Sequence, residues 1–331
     1  MVRKILITGG NGFIGLKLIN YIIKKNKNYH IRIIDNLSTS KIDEIKKLNF
    51  FIKFNSFKKL KSNKRGIFFC KADILNKNVV SDALKDIDIV VHLAANAGVA
   101  KSISDPIFDM ANNILGTLNI LESVQKNKIK KFIFSSSNAV IGKTNKRINE
   151  KTDKSPTNPY GVSKLSCETY INTFSELYKI PSIILRFGNV YGPGSINKTS
   201  IIPKFIKKIQ KKEICFIYGD GNQTRDFIYI DDLINAIYKS IDLKLKNCEI
   251  FQISNGKQTS VKEISEIISN QFFNILKIKP IFKYSKERIG DVKKNYSSIK
   301  KANNILKWYP KVDLEDGIKK TITFFLDVKK L

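Results

Sequence analysis

Short apolar runs alternate along the chain with longer stretches in which apolar positions recur at three- and four-residue spacing. That rhythm is the pattern of a parallel sheet covered by helices. Strands are predicted at Lys4–Thr8, His30–Asp35, Gly66–Cys70, Ile87–Leu93, Lys131–Ser135 and Ser182–Arg186. The clearest helical patterns are Phe13–Lys24, Asn112–Gln125 and Gly161–Tyr178. Six strands in this order predict an α/β fold with a doubly wound parallel sheet, because right-handed crossovers leave few other topologies. Residues 40–65 are lysine-rich and aperiodic, and read as a surface excursion. After Arg186 the rhythm breaks at Gly192-Pro-Gly194 and Gly219-Asp-Gly221. A first domain of residues 1–186 is therefore expected, followed by a smaller region, 187–331, some of whose segments return to the sheet.

Composition changes this picture little. With 331 residues and 42% hydrophobic side chains the chain can fill a large core. No apolar run reaches the roughly 18 residues of a membrane span, and the start of the chain runs into a glycine turn rather than a secretory signal. Cys70, Cys167, Cys215 and Cys248 lie far apart with only two histidines in the chain, so reduced thiols of a cytoplasmic protein are expected and no metal site. The net charge of +30 raises the question of a nucleic-acid partner. However, 52 lysines stand against seven arginines, scattered in pairs such as Lys24–Lys25, Lys207–Lys208 and Lys211–Lys212. A solvated lysine surface is the expectation, without nucleic acid. The same bias makes each arginine informative, since the planar guanidinium is kept where two-pronged geometry is needed.

Three groups of residues carry chemistry. Gly9, Gly12 and Gly15 follow the first strand and open the first helix, where glycine allows a tight turn and close approach to a pyrophosphate at the helix N-terminus. Alone, such a triplet is equally a plain turn. Asp35, 20 residues beyond Gly15 at the end of the second strand, strengthens it. A carboxylate there accepts from both ribose hydroxyls and repels a 2′-phosphate, so NAD is expected over NADP. Tyr160 and Lys164 share a helix face at i and i+4, and a neighbouring ammonium favours the phenolate. Tyr160 then becomes a general base. Ser137, at the end of the fifth strand, is placed to hold the reacting hydroxyl.

Together with the segments ITGGNGFIG, DNLSTS, HLAANAGVAKS, SSSNAVIG, YGVSK, RFGNVYGPGS, GDGNQTRDFIY and ERIGDV, these residues give a resemblance to the extended short-chain dehydrogenases, of Rossmann fold. Within them the chain is most similar to bacterial UDP-glucose and UDP-N-acetylglucosamine 4-epimerases. The resemblance runs from residue 3 to about residue 310. It implies that Gly9, Gly12, Phe13, Ile14 and Gly15 surround the NAD pyrophosphate, and that Asp35, Asn36 and Ser38 hold the adenosine ribose. By the same likeness Asp73 and Ile74 border the adenine, and Leu93, Ala94, Ala95 and Asn112 line the nicotinamide side. Lys164 also bonds the nicotinamide ribose. On the substrate side it implies Asn189 and Arg225 at the diphosphate, Tyr218 by the uracil, Arg288 and Asp291 over the nucleotide, and Asn295 beside the sugar C2 substituent.

The implied activity is epimerisation of a UDP-sugar by transient oxidation at C4, with hydride returning to the opposite face. Ser137, Tyr160 and Lys164 are the catalytic set. A homodimer through a four-helix interface is also implied, here with Asn112–Gln125 and Gly161–Tyr178. The chain departs from related sugar dehydratases, which carry Asp-Glu where this sequence has Asn138-Ala139. Other readings are a nucleotide-sugar reductase, a UDP-glucuronate 4-epimerase, or a non-catalytic NAD- or nucleic-acid-binding protein.

Overall fold

The computed structural model describes residues 2–25, 28–46, 48, 51–54, 56–58, 60, 64–287 and 292–329. The chain forms two compact units. The first comprises Met1–Val140, Asn158–Arg186 and Ile234–Phe251, and the second Ile141–Thr157, Phe187–Leu233 and Gln252–Leu331.

The first unit is built on strands β1 (Arg3–Thr8), β2 (Tyr29–Asp35), β3 (Phe51–Phe54), β4 (Gly66–Lys71), β5 (Ile89–His92), β6 (Lys131–Ser137) and β7 (Ser182–Phe187). With the strand Cys248–Ile253 they form one eight-stranded sheet. Its order is Cys248–Ile253, β7, β6, β5, β1, β2, β4, β3. The central pairs are parallel, with Ile7 facing Ile33 on one side and Val91 on the other. Such strands are covered on both faces, so they read as continuous Ile, Val and Phe rather than as alternation. The doubly wound parallel fold expected from the sequence is thus present.

It is wider than the six predicted strands. β3 lies inside the lysine-rich stretch taken for a surface excursion, and pairs Phe51 with Ile67 and Ile52 with Phe68. Four residues of edge strand are too short to stand out against the surrounding lysines.

The chain passes from β1 outward to β2, β3 and β4, then returns to the other side of β1 as β5. This reversal opens a crevice at the carboxyl ends of β1 and β5, the place where open α/β sheets bind ligands. Two neutral histidines are sealed into the sheet. His30 accepts from Arg32 Nε at Nε2 (3.0 Å), so its Nδ1 donates to the Lys64 carbonyl (2.6 Å). Arg32 also donates to the carbonyls of Ala83 (3.1 Å) and Lys85 (2.8 Å), closing the helix Lys77–Leu84. His92 contacts Thr8 Oγ1 at Nδ1 (2.6 Å) and Thr117 Oγ1 at Nε2 (3.1 Å). Because the Thr117 hydroxyl is committed to the Asn113 carbonyl (2.6 Å), Nε2 is the donor and Nδ1 accepts from Thr8.

Burial pushes His30 down to about 4 and His92 down to about 3. Unfolded, both titrate near 6.5, so between those values the unfolded chain binds more protons. Their contribution to stability is complete above about pH 6.5 and is lost as pH falls toward 4, at roughly 1.4 kcal/mol per pH unit per histidine. Urea denaturation at stepped pH should show this fall, and replacing His92 with asparagine should flatten it.

In the second unit, Cys215–Tyr218 pairs in parallel with Phe282–Ser285, and Asn189–Tyr191 with Phe227–Tyr229. Trp308 is buried, with its Nε1 donating to the Asp232 carbonyl (2.9 Å). The helix Val261–Leu276 starts at a reciprocal cap between Ser260 and Glu263. Among the described residues no helix is long and apolar enough to cross a membrane.

Candidate active site

The crevice of the first unit is shaped by glycine. Gly9 has φ +66°, and a Cβ there would stand 2.7 Å from the Ala94 nitrogen. A Cβ at Gly15 would stand 2.6 Å from the carbonyl oxygens of Gly9 and Gly10. Neither position admits a side chain, so the turn sits against the end of β5 while Phe13 and Ile14 open the helix Phe13–Lys25. The helix N-terminus presents its positive dipole end there.

At the end of β2, Asp35 accepts from the Asn11 nitrogen (2.9 Å) and the Leu37 nitrogen (2.8 Å). Burial pushes its carboxyl up, and these two bonds oppose that rise. Asn36 donates to Asp73 Oδ2 (2.8 Å) and accepts from the Ser38 nitrogen (3.0 Å). Asp73 in turn accepts from the Leu75 nitrogen (2.9 Å), across Ile74. Asp35, Asn36, Ser38, Asp73 and Ile74 therefore form one cluster over β2 and β4. Leu93 and Ala94 follow β5, tied to β1 through the Thr8 carbonyl (3.1 Å) and hydroxyl (3.2 Å). A glycine cradle, a helix start and a ribose-side carboxylate fit a dinucleotide without a 2′-phosphate.

Asn112 donates to the Phe108 carbonyl (2.8 Å), a local helix contact. Its neighbour Asn113 is the buried one. Asn113 accepts from the Asn96 nitrogen (2.8 Å) and donates to Asp109 (3.0 Å). Sequence reasoning passed over Asn113, and the wide turn that aims it inward has no side-chain signature.

Ser137, Tyr160 and Lys164 come together between β6 and the helix Pro159–Tyr178. Asn158 caps that helix through the Gly161 nitrogen (3.0 Å), and proline occupies its first position. The Ser137 hydroxyl faces the Tyr160 phenol and favours its ionised form. Lys164 is 2% exposed and donates to the Ser135 carbonyl (2.9 Å), with Nζ 4.6 Å from the Phe134 ring centre and 6.0 Å from that of Tyr160.

Here the structure differs from the simple expectation of a lowered phenol. Burial pushes Tyr160 up to about 12, the neighbouring Ser137 hydroxyl opposes that rise, and the Asp109 carboxylate adds to it. Burial also pushes Lys164 down to about 8. Desolvation acts on both charged forms, and the ammonium is spent on a backbone carbonyl.

Glu168, four residues beyond Lys164, was also missed by sequence reasoning. It is buried against Arg186, with Nε to Oε1 at 2.9 Å and Nη2 to Oε2 at 2.6 Å. Ser136 Oγ donates to the same carboxylate (2.5 Å). This two-pronged pair fastens the helix to the sheet one residue from Ser137.

In the second unit Asn189 donates from its backbone to the Asp226 carbonyl (2.7 Å). Arg225 Nη1 donates to the carbonyls of Val292 (2.5 Å) and Thr224 (2.8 Å). Asp226, absent from the sequence reading, is buried and accepts from the nitrogens of Asn255 (2.8 Å) and Ser297 (3.0 Å), two residues from Asn295. Tyr218 lines a cavity of about 370 Å³ with Gln223, Glu287 and Lys293. Arg288 and Asp291 lie outside the described residues. Among the described residues no cluster of side chains could hold a metal.

The profile of the NAD dependent epimerase/dehydratase family matches residues 5–254. The chain belongs to that family. This family's enzymes use NAD, which the crevice fits. A relative from Methanocaldococcus jannaschii, described as a putative UDP-glucose 4-epimerase, is 38% identical over 325 residues, 97% of each chain. The solved UDP-N-acetylglucosamine 4-epimerase of Methanobrevibacter ruminantium, in complex with UDP-N-acetylmuramic acid, is 33% identical with a TM-score of 0.86. It is matched over 99% of this chain and all of its own. The UDP-glucuronic acid 4-epimerase of Bacillus cereus, solved with UDP-glucuronic acid and NAD, is 32% identical with a TM-score of 0.85, over 98% and 99% of the two chains. Family members of similar likeness thus differ in their sugar.

Proposed function

We propose that this family member is a UDP-sugar 4-epimerase, acting on UDP-glucose or its N-acetyl form. The observation that carries the reading is the joining of Ser137, Tyr160 and Lys164 at the end of β6 with no acid at Asn138 or Ala139. A sugar dehydratase needs a further proton donor beside its serine or threonine, and an amide with a methyl group supplies none. Gly9, Gly12, Phe13, Ile14 and Gly15 would hold the pyrophosphate of NAD, Asp35, Asn36 and Ser38 the ribose, and Asp73 with Ile74 the adenine. Leu93, Ala94, Ala95, Asn112 and Lys164 would meet the nicotinamide half. Bound NAD supplies the acceptor and donor of the C4 hydride, and its cationic ring favours the phenolate.

Tyr160 takes the proton from the C4 hydroxyl and later returns it. Ser137 holds that oxygen in line with the phenol. Lys164 orients the pair from the Ser135 carbonyl. In the second unit, Asn189, Tyr218, Arg225, Arg288, Asp291 and Asn295 would hold the UDP-sugar. A homodimer is part of the same proposal, and apolar side chains left exposed in the first unit support it. They include Ile103, Ile107, Leu115, Val162 and Leu177, at 44–70% exposure. Sedimentation at micromolar concentration should give twice the mass of the chain, and a monomer would remove this part.

The deciding experiment adds UDP-glucose, UDP-N-acetylglucosamine and UDP-glucuronate separately to the purified protein and follows the anomeric protons by NMR. The C4 epimer is expected from one of the first two, without net NADH. An epimer from UDP-glucuronate alone would reassign the sugar. No epimer in any tube, with NAD added, would overturn the activity.

A further inference from the structure

Asp109 lies on the short helix Pro106–Met110 with no exposed surface. Its Oδ2 accepts from Ser163 Oγ at 2.6 Å. Its Oδ1 accepts from Asn113 Nδ2 at 3.0 Å and Asn96 Nδ2 at 3.4 Å. Asn96 and Asn113 are locked to each other by a second bond, Asn113 Nδ2 to the Asn96 carbonyl (3.2 Å). Among the described residues no lysine or arginine forms an ion pair with Asp109. A buried carboxylate is costly unless donors and a nearby cation compensate it. Three neutral donors are present, and the cation is Lys164, next in the chain to Ser163.

Ser163 stands between Tyr160 and Lys164 on one helix, so a bond at its hydroxyl fixes the roll of that helix. We propose that Asp109 is a positioning residue for the Tyr160–Lys164 pair, anchoring the helix at Ser163 and holding a negative charge beside both. The inference rests on Tyr160 being the base. The groups that face the carboxylate are Tyr160, Lys164 and Cys167, all on Pro159–Tyr178. Lys101, on Val99–Ser104, lies over the Phe108 ring instead (5.2 Å). The charge keeps Lys164 protonated in a site that disfavours cations, and withholds ionisation of Tyr160.

The test replaces Asp109 with asparagine, of equal volume and without charge, in the NAD-loaded protein. Ionisation of Tyr160 is read as the phenolate absorbance that disappears in a Tyr160→Phe background. In Asp109→Asn the midpoint should move down by about 0.5 pH unit or more, while Asp109→Glu should restore most of it. Ser163→Ala should leave the midpoint near its original value and lower kcat roughly tenfold with KM retained. An unmoved midpoint in Asp109→Asn, with only thermal stability lost, would overturn the proposal. If Asp109→Asn does not fold, a midpoint in Ser163→Ala shifted with KM rather than kcat changed would overturn it equally. The titration needs no turnover, so a failure to epimerise sugar would count against the activity alone.

Discussion

Replacing Tyr160 with phenylalanine is expected to cut turnover roughly 10²–10⁴-fold while NAD remains bound. Phenylalanine keeps the ring that packs beside Lys164 and removes only the hydroxyl that faces Ser137. The crevice at Gly9, Gly15 and Asp35 is untouched, so cofactor content should be unchanged. The loss falls on kcat, because the missing group acts on the reacting hydroxyl rather than on the nucleotide. NMR rates at saturating sugar nucleotide, beside the absorbance of retained NAD, separate the two. Turnover within twofold of the parent would remove Tyr160 from the chemistry.

The second large effect is on stability. Glu168→Gln should cost roughly 3–5 kcal/mol, seen as a lower midpoint in chemical denaturation. Arg186 is fully buried and meets Glu168 through both prongs. A neutral amide leaves that buried guanidinium without a counter-charge. Removing both charges together, as Glu168→Gln with Arg186→Met, should recover part of the loss, because the buried cation goes as well. Equal stability of the Glu168→Gln protein would show that the pair contributes nothing.

The central sheet was legible because its strands are continuous runs of Ile, Val and Phe. β3 was not, since Phe51–Phe54 is a four-residue edge strand that sits among lysines. Gly9, Asp35, Tyr160 and Lys164 could be read from spacing because each depends on one local element. Asp109, Asn113, Glu168 and Asp226 could not. Apart from the bond between Asp109 and Asn113, four residues apart, their partners lie 13 to 71 residues away in the chain, or are backbone groups that any sequence supplies. Arginine was a partial signal. Arg32 and Arg186, kept in a lysine-rich chain, each meet several acceptors that a single ammonium could not satisfy.

The wide π turn at Ala111–Leu115 has one more consequence. A π turn takes up one residue more than an α turn, so it works as a store of slack between two half-helices. Before it, Ile107 and Phe108 point outward while Asp109 is inside. After it, Ile120, Leu121 and Val124 point into the core. The turn holds one residue more than a regular α turn, and beyond it Thr117 still reaches His92 and Asn119 the Ile74 carbonyl.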